Sequence, residues 1–463
     1  MTPGGNGAER VLSAAQRRTQ DTWADTAPVA VRPSAGLTAP TRPEQGMALL
    51  VMFVLMFSVP SYWFLPPYVD TANDASRSQI AALCVLTLVF ALLSSNLNVT
   101  PFLRVMRQEA LLPLFIGLVL SSIMWTTQPY EATRDGFLLV LICFVGYWIG
   151  TRFPLSSVLG LASIAVALGA VLQVAIIKFF PEYGASGEAW IGVFKDKNVF
   201  GRHISLALLI LMLASRIHRR YRFVLYGVML VELLFLVKSD SKTSVVAAVA
   251  TPLMAGIFVA FRARRTLYGS VAIAIVASTV GAIVLTVGNL DIVTRELGRS
   301  ATFSGRTDIW KAVFAEVKHR PLLGYGWDGF FTDVNGPARM VYLKVGLVPH
   351  SHNALLDYAA ALGYVGAGLA LLLFMRLLVR GARVIRYYRG AAGLFPIVYG
   401  AYAIVTSVTE FGVIRTDAHF LFLVIAIVGA VPGRRDQLDA FGLRDAERTP
   451  PPSPRAVAPA TSF

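Results

Sequence analysis

Two short polar segments carry the residue types that chemistry needs. Arg306 follows Ser304 and Gly305 and opens the run 306–319, in which Ile309, Trp310, Val313, Phe314 and Val317 recur at helical spacing. Ser304 is the candidate N-cap, and Pro321 follows the helix end. An arginine beside the free N–H groups of a helix start can hold a phosphate. Taken alone, Arg306 reads as a surface arginine. The second segment is Pro349-His350-Ser351-His352-Asn353, ahead of a long apolar run. A histidine there meets the positive end of the helix dipole, which favours a neutral ring able to accept a proton. The rival readings are a helix cap and a zinc site. His350 and His352 lack a third ligand at suitable spacing, so no metal is assigned.

Two further polar, basic segments precede apolar runs. One is Gly192-Val-Phe-Lys-Asp-Lys-Asn-Val-Phe-Gly-Arg202, and the other is Lys238-Ser-Asp-Ser-Lys-Thr-Ser244. Lys197, Arg202 and Lys242 are candidates to converge with Arg306 on an anion. Asn198 and Ser241, with Ser239 and Thr243, add hydrogen-bonding groups. Gly324, Gly326 and Gly329 allow a tight turn or a close backbone approach. Gly363, Gly366 and Gly368 are read as sites of close helix packing. Glu232 falls inside an apolar block and is assigned to contact with a neighbouring helix.

The elements that must position these residues are membrane helices. The chain has 463 residues, 55% hydrophobic and only 15% charged, against about 25% charged in a soluble protein. The apolar residues come in continuous blocks rather than alternating ones. Helices satisfy their own backbone in lipid, so the fold class is an all-α polytopic bundle. Spans are expected near 47–66, 79–96, 110–126, 136–152, 155–177, 203–215, 221–237, 243–261, 267–288, 354–375, 394–411 and 417–432. That is about twelve. The net charge of +15 would suggest nucleic acid, but the basic residues sit in short segments between apolar blocks, as topology signals do. Cys84 and Cys143 fall inside spans and read as packing residues.

Alternate connections hold the arginine clusters, which places them and both termini in the cytoplasm. The expected organisation is a disordered tail over 1–46, helices over 47–288, a large outward loop over 289–353, helices over 354–432 and a second disordered tail over 433–463. The longest outward loop then carries both chemical segments.

With this placement the motif set resembles the O-antigen ligase and polysaccharide polymerase superfamily. The resemblance rests on Gly305-Arg306 with Trp310, the Gly324-Tyr325-Gly326 turn, and His352-Asn353 before an apolar helix. Lys197-Asn198 to Gly201 and Ser239-Asp-Ser-Lys-Thr243 look like its exopolysaccharide polymerase branch. It covers roughly residues 47–432. The resemblance implies metal-independent, inverting glycosyl transfer at the periplasmic face of the bacterial inner membrane. The donor and acceptor it implies are undecaprenyl-diphosphate-linked glycans, with a chain-length regulator and export machinery as partners and no cofactor. It makes His352 the catalytic base and Arg306 the catalytic, diphosphate-binding arginine. Lys242, Arg202 and Lys197 join Arg306 on the diphosphate, and His350, Asn353, Asn198 and Ser241 support them. Lys242 stands where ligase-like members have an arginine, which favours a polymerase over a ligase. A transporter or flippase is the reading from another class. It expects charged residues near the bilayer midplane and repeated halves, whereas here the polar residues gather at one face.

Overall fold

The first helix starts earlier than the expected tail boundary at residue 46. In the computed structural model, which describes residues 39–57, 71–95, 98–194, 196–260, 306–387, 390–410 and 412–431, helix α1 spans Arg42–Phe57. Its start is a capping box. The Thr41 N–H donates to Glu44 Oε2 at 2.7 Å, and the Glu44 N–H donates to the Thr41 hydroxyl at 3.4 Å. The remainder of the expected tails, the span at 267–288 and the cap at Ser304 lie outside the described residues.

The next helices are α2 Thr71–Ser94, α3 Thr100–Gln108, α4 Leu111–Ser121, α5 Pro129–Arg152 and α6 Leu155–Phe179. A two-stranded hairpin, β1 Ala185–Ser186 with β2 Ala189–Trp190, follows. Then come α7 Lys197–Ile217, α8 Arg222–Lys238 and α9 Lys242–Ala260. After the undescribed stretch come α10 Arg306–Val317 and α11 Arg339–Val345. The bundle closes with α12 Ala354–Tyr387, α13 Phe395–Thr409 and α14 Ala418–Gly429. Among the described residues, a helix stands at each expected span that they cover. Among the described residues, six helices are long and apolar enough to cross a membrane, and shorter apolar helices lie beside them.

The packing follows from residue size and charge. Gly146 and Gly150 of α5 face α14, where an added Cβ would come within 2.8 Å of Val424 and Val428. The outward faces of the spans stay apolar: Val171, Leu230 and Val237 are 70%, 69% and 73% exposed, as a lipid-facing surface requires. Several buried charges are paired. Arg152 donates to both Glu44 oxygens, and Arg376 and Arg380 both reach Glu109. With α5 rising roughly 1.5 Å per residue, Arg152 lies a whole membrane thickness from the Pro129 end.

At that Pro129 end the 306–353 segment docks onto a broken helix. Gly363 interrupts α12 with φ 66° and ψ −170°. The break leaves Ala360 and Ala361 carbonyls without helical partners, and the N–H groups of Tyr325 and Gly326 donate to them at 2.9 and 2.8 Å. In return the Tyr364 N–H donates to the Pro321 carbonyl at 2.7 Å. An added Cβ at Gly363 would meet the Leu322 carbonyl oxygen at 2.1 Å. Gly363 therefore marks a backbone junction, not the close helix packing expected of it, and Gly368 has open space beside it. Ser122, Thr126 and Thr127 bond the Trp327–Gly329 backbone from the other side. The glycines of the Gly324-Tyr325-Gly326 turn permit this approach, with φ 61° and 88°.

Candidate active site

The histidine segment is fixed from three directions. Asn353 caps α12 by accepting the Leu356 N–H at 3.1 Å. The Ser351 N–H donates to Asp357 Oδ1 at 2.8 Å. The Trp310 indole N–H donates to the Ser351 carbonyl at 2.8 Å, tying α10 to the loop. Within this frame His352 takes φ 56°, a left-handed conformation that a side chain seldom adopts. Its N–H donates to His350 Nδ1 at 3.2 Å, so His350 carries its ring proton elsewhere.

Held this way, His352 faces Glu410 at the end of α13. His352 Nδ1 lies 3.5 Å from Glu410 Oε2, long for a hydrogen bond but within ion-pair reach. Glu410 Oε1 accepts from Arg306 Nη2 at 3.0 Å and from the Thr243 hydroxyl at 2.6 Å. One carboxylate thus joins α9, α10, α13 and the histidine loop. It is 2% exposed, while the His352 side chain is 21% exposed and open to a ligand. Burial would raise the Glu410 carboxyl, but the contacts of His352, Thr243 and Arg306 outweigh it and hold it below the usual range.

The other expected residues divide into two groups. Arg202 comes close behind the histidines, almost wholly buried: Nη2 donates to Asp417 Oδ2 at 2.5 Å and Nη1 to the Gly412 carbonyl at 3.3 Å. Ser241 donates to Asn198 Oδ1 at 3.0 Å and lies 3.3 Å from the Thr243 hydroxyl, which continues the chain to Glu410. Lys197 and Lys242 instead stand on the exposed rim at Asp240. Lys197 Nζ is 2.9 Å from Asp240 Oδ2, and Lys242 adds its charge to the same carboxylate.

His350 is surrounded by cations, two of them paired with carboxylates. His350 is pushed down to about 2, first by burial and then by the charges of His352, Arg415, Arg202 and Arg306 around it. The N-terminal ends of α7, α12 and α14 are capped by Asp196, Asn353 and Asp417 and add their positive dipole ends.

Glu410, Arg415 and Asp417 were absent from the sequence reading. Glu410 and Asp417 fell at the ends of expected spans and Arg415 in the short connection between them. The readable signal was Thr-Glu and Arg-Thr-Asp interrupting two apolar blocks, since acids at membrane depth are costly and often functional.

No curated protein matches the chain at a significant level. Residues 225–372 match the protein family described as O-antigen ligase. The matched segment holds Lys242, Arg306, His350 and His352, and leaves Arg202 before it and Glu410 after it. That match, confined to residues 225–372, supports a likeness of this multi-pass membrane protein to the O-antigen ligase and polysaccharide polymerase superfamily.

Proposed function

We propose that the chain polymerises undecaprenyl-diphosphate-linked oligosaccharide repeat units into exopolysaccharide or O-antigen. It works at the periplasmic face of the inner membrane, with both termini in the cytoplasm. The observation that carries this reading is the Glu410 carboxylate bonded to Arg306 and facing His352. With Nδ1 turned to Glu410, the other ring nitrogen of His352 takes the proton from an acceptor sugar hydroxyl. The acceptor oxygen then bonds to the anomeric carbon as the bond from that carbon to the diphosphate oxygen breaks. Attack opposite the leaving group inverts the centre. Arg306, backed by Arg202, stabilises the departing undecaprenyl diphosphate, and Lys197 and Lys242 draw it in from the rim. The polyprenyl tail stays in lipid and positions the donor. The donor is already activated, so the step uses no cofactor. A chain-length regulator and export machinery are the expected partners.

The test is glycan analysis after deletion. Loss of a polymerase leaves single repeat units on the lipid carrier. Long chains on the carrier with bare lipid A–core would instead mean a ligase, the second reading. Purified protein in liposomes that moves lipid-linked glycan across the bilayer without elongating it would overturn both in favour of a transporter.

A further inference from the structure

Behind Arg202 lies a second cluster that the proposed transfer does not use. His203 of α7, and Asp417 and His419 at the start of α14, bring one ring nitrogen each and a carboxylate oxygen within 4.8 Å of one another. Both rings are buried, at 5% and 0% exposure, and stand edge to face with centroids 4.6 Å apart.

Hydrogen-bond accounting fixes the tautomer of His203 and, with the Tyr402 proton placed on Arg202, that of His419. His203 Nδ1 is 2.9 Å from the Val199 carbonyl, which can only accept, so Nδ1 carries the proton. His203 Nε2 is then a bare lone pair, and it has no hydrogen-bond partner. The Tyr402 hydroxyl donates its proton to the Arg202 carbonyl at 3.0 Å. It must therefore accept from His419 Nε2, 3.1 Å away. His419 Nδ1 is then also a bare lone pair, without a hydrogen-bond partner and only 3.4 Å from Asp417 Oδ2. Three acceptors face one another, and each ring donates its other N–H to an oxygen, as metal-ligating histidines do. A water molecule's two protons would serve the two bare nitrogens but would not link either ring to the carboxylate, whose Oδ2 already accepts from Arg202. Protonating His419 would serve Asp417 and leave His203 Nε2 orphaned. A cation takes both bare nitrogens and joins them to the carboxylate, the three ligand atoms already lying within 4.8 Å of one another.

We propose that His203, Asp417 and His419 bind a divalent transition metal of the zinc type. Two imidazoles and a carboxylate suit that ion. Arg202 donates to the same Asp417 oxygen, but a carboxylate oxygen has two lone pairs, so one remains for the metal. The ion staples α7 to α14 and fixes Arg202 behind the histidine loop. It does not touch the reacting atoms, and it weakens the case for Arg202 as a direct diphosphate ligand.

The experiment uses full-length protein purified in detergent with a tag free of histidine. Element analysis is expected to give about one zinc-type ion per chain. Chelation should lower the unfolding temperature, and Zn²⁺ or Co²⁺ should restore it, Co²⁺ with ligand-field absorption. His203→Gln and His419→Gln should lose the metal, whereas His350→Ala with His352→Ala should keep it. Wild-type protein from zinc-replete medium holding less than about 0.1 ion per chain, with no thermal shift on adding Zn²⁺, Co²⁺ or Mn²⁺, overturns the site. So does metal content unchanged in both glutamine variants. The wild-type measurements decide the matter even where a variant fails to fold.

Discussion

Glu410 and His352 face each other across 3.5 Å, and the same Glu410 carboxylate holds Arg306 at 3.0 Å. This makes Glu410 a positioning residue for both. Glu410→Gln keeps the shape and the Thr243 contact while removing the charge. Turnover of lipid-linked glycan should fall by roughly 10- to 100-fold, with a smaller change in apparent donor affinity. Equal loss in Glu410→Gln and Glu410→Asp would point to packing alone.

His352→Ala should reduce elongation by about 10²- to 10⁴-fold in protein that still inserts. His350→Ala tests the rival base. His350 accepts the His352 N–H, so this variant should loosen the loop and cost less activity. Normal elongation in His352→Ala would remove it as the base.

Arg306→Lys retains the charge and loses the planar fork. Single-turnover assays should show a slower chemical step, about tenfold or more. An unchanged rate would assign Arg306 only to holding Glu410.

Stability should respond to pH through two groups of opposite sign. His350 is pushed from 6.5 down to about 2. The unfolded chain takes up that proton as pH falls through 6.5 and the native chain does not, so stability is full above 6.5 and declines below it. Burial, then the neighbouring Asp135, pushes the Asp328 carboxyl from 3.8 up to about 7. Its contribution is full below 3.8 and is lost as pH rises through 7. Unfolding temperatures against pH should therefore show less acid-side loss in His350→Asn. Asp328→Asn should show a relative gain above neutrality. Asparagine tolerates the positive φ of 53° at that position.

Gly363→Ala should destabilise the docked 306–353 segment by about 1–3 kcal/mol or more, because φ 66° and the Leu322 carbonyl both exclude a side chain. Trp310→Phe removes one hydrogen bond to Ser351, a loss of about 1 kcal/mol. Limited proteolysis of the 306–353 segment would report both.

The sequence by itself determined the helices and named several residues that the fold brings together at the candidate site. Continuous apolar blocks and their lengths set the bundle, because lipid allows little else. Helical spacing from Ile309 to Val317 set α10, with Arg306 in its first turn. The His350–Asn353 run before an apolar block set the histidine loop. Only the tertiary structure decided what those residues face. Arg306 and Thr243 meet Glu410 from 104 and 167 residues away, beyond the reach of any local pattern. The same holds for Arg202, whose place is set by Asp417 from another helix. Lys197 and Lys242 looked equivalent to Arg202 as charges, yet the fold left them on the rim, where solvation costs least, and buried the guanidinium that has a carboxylate beside it.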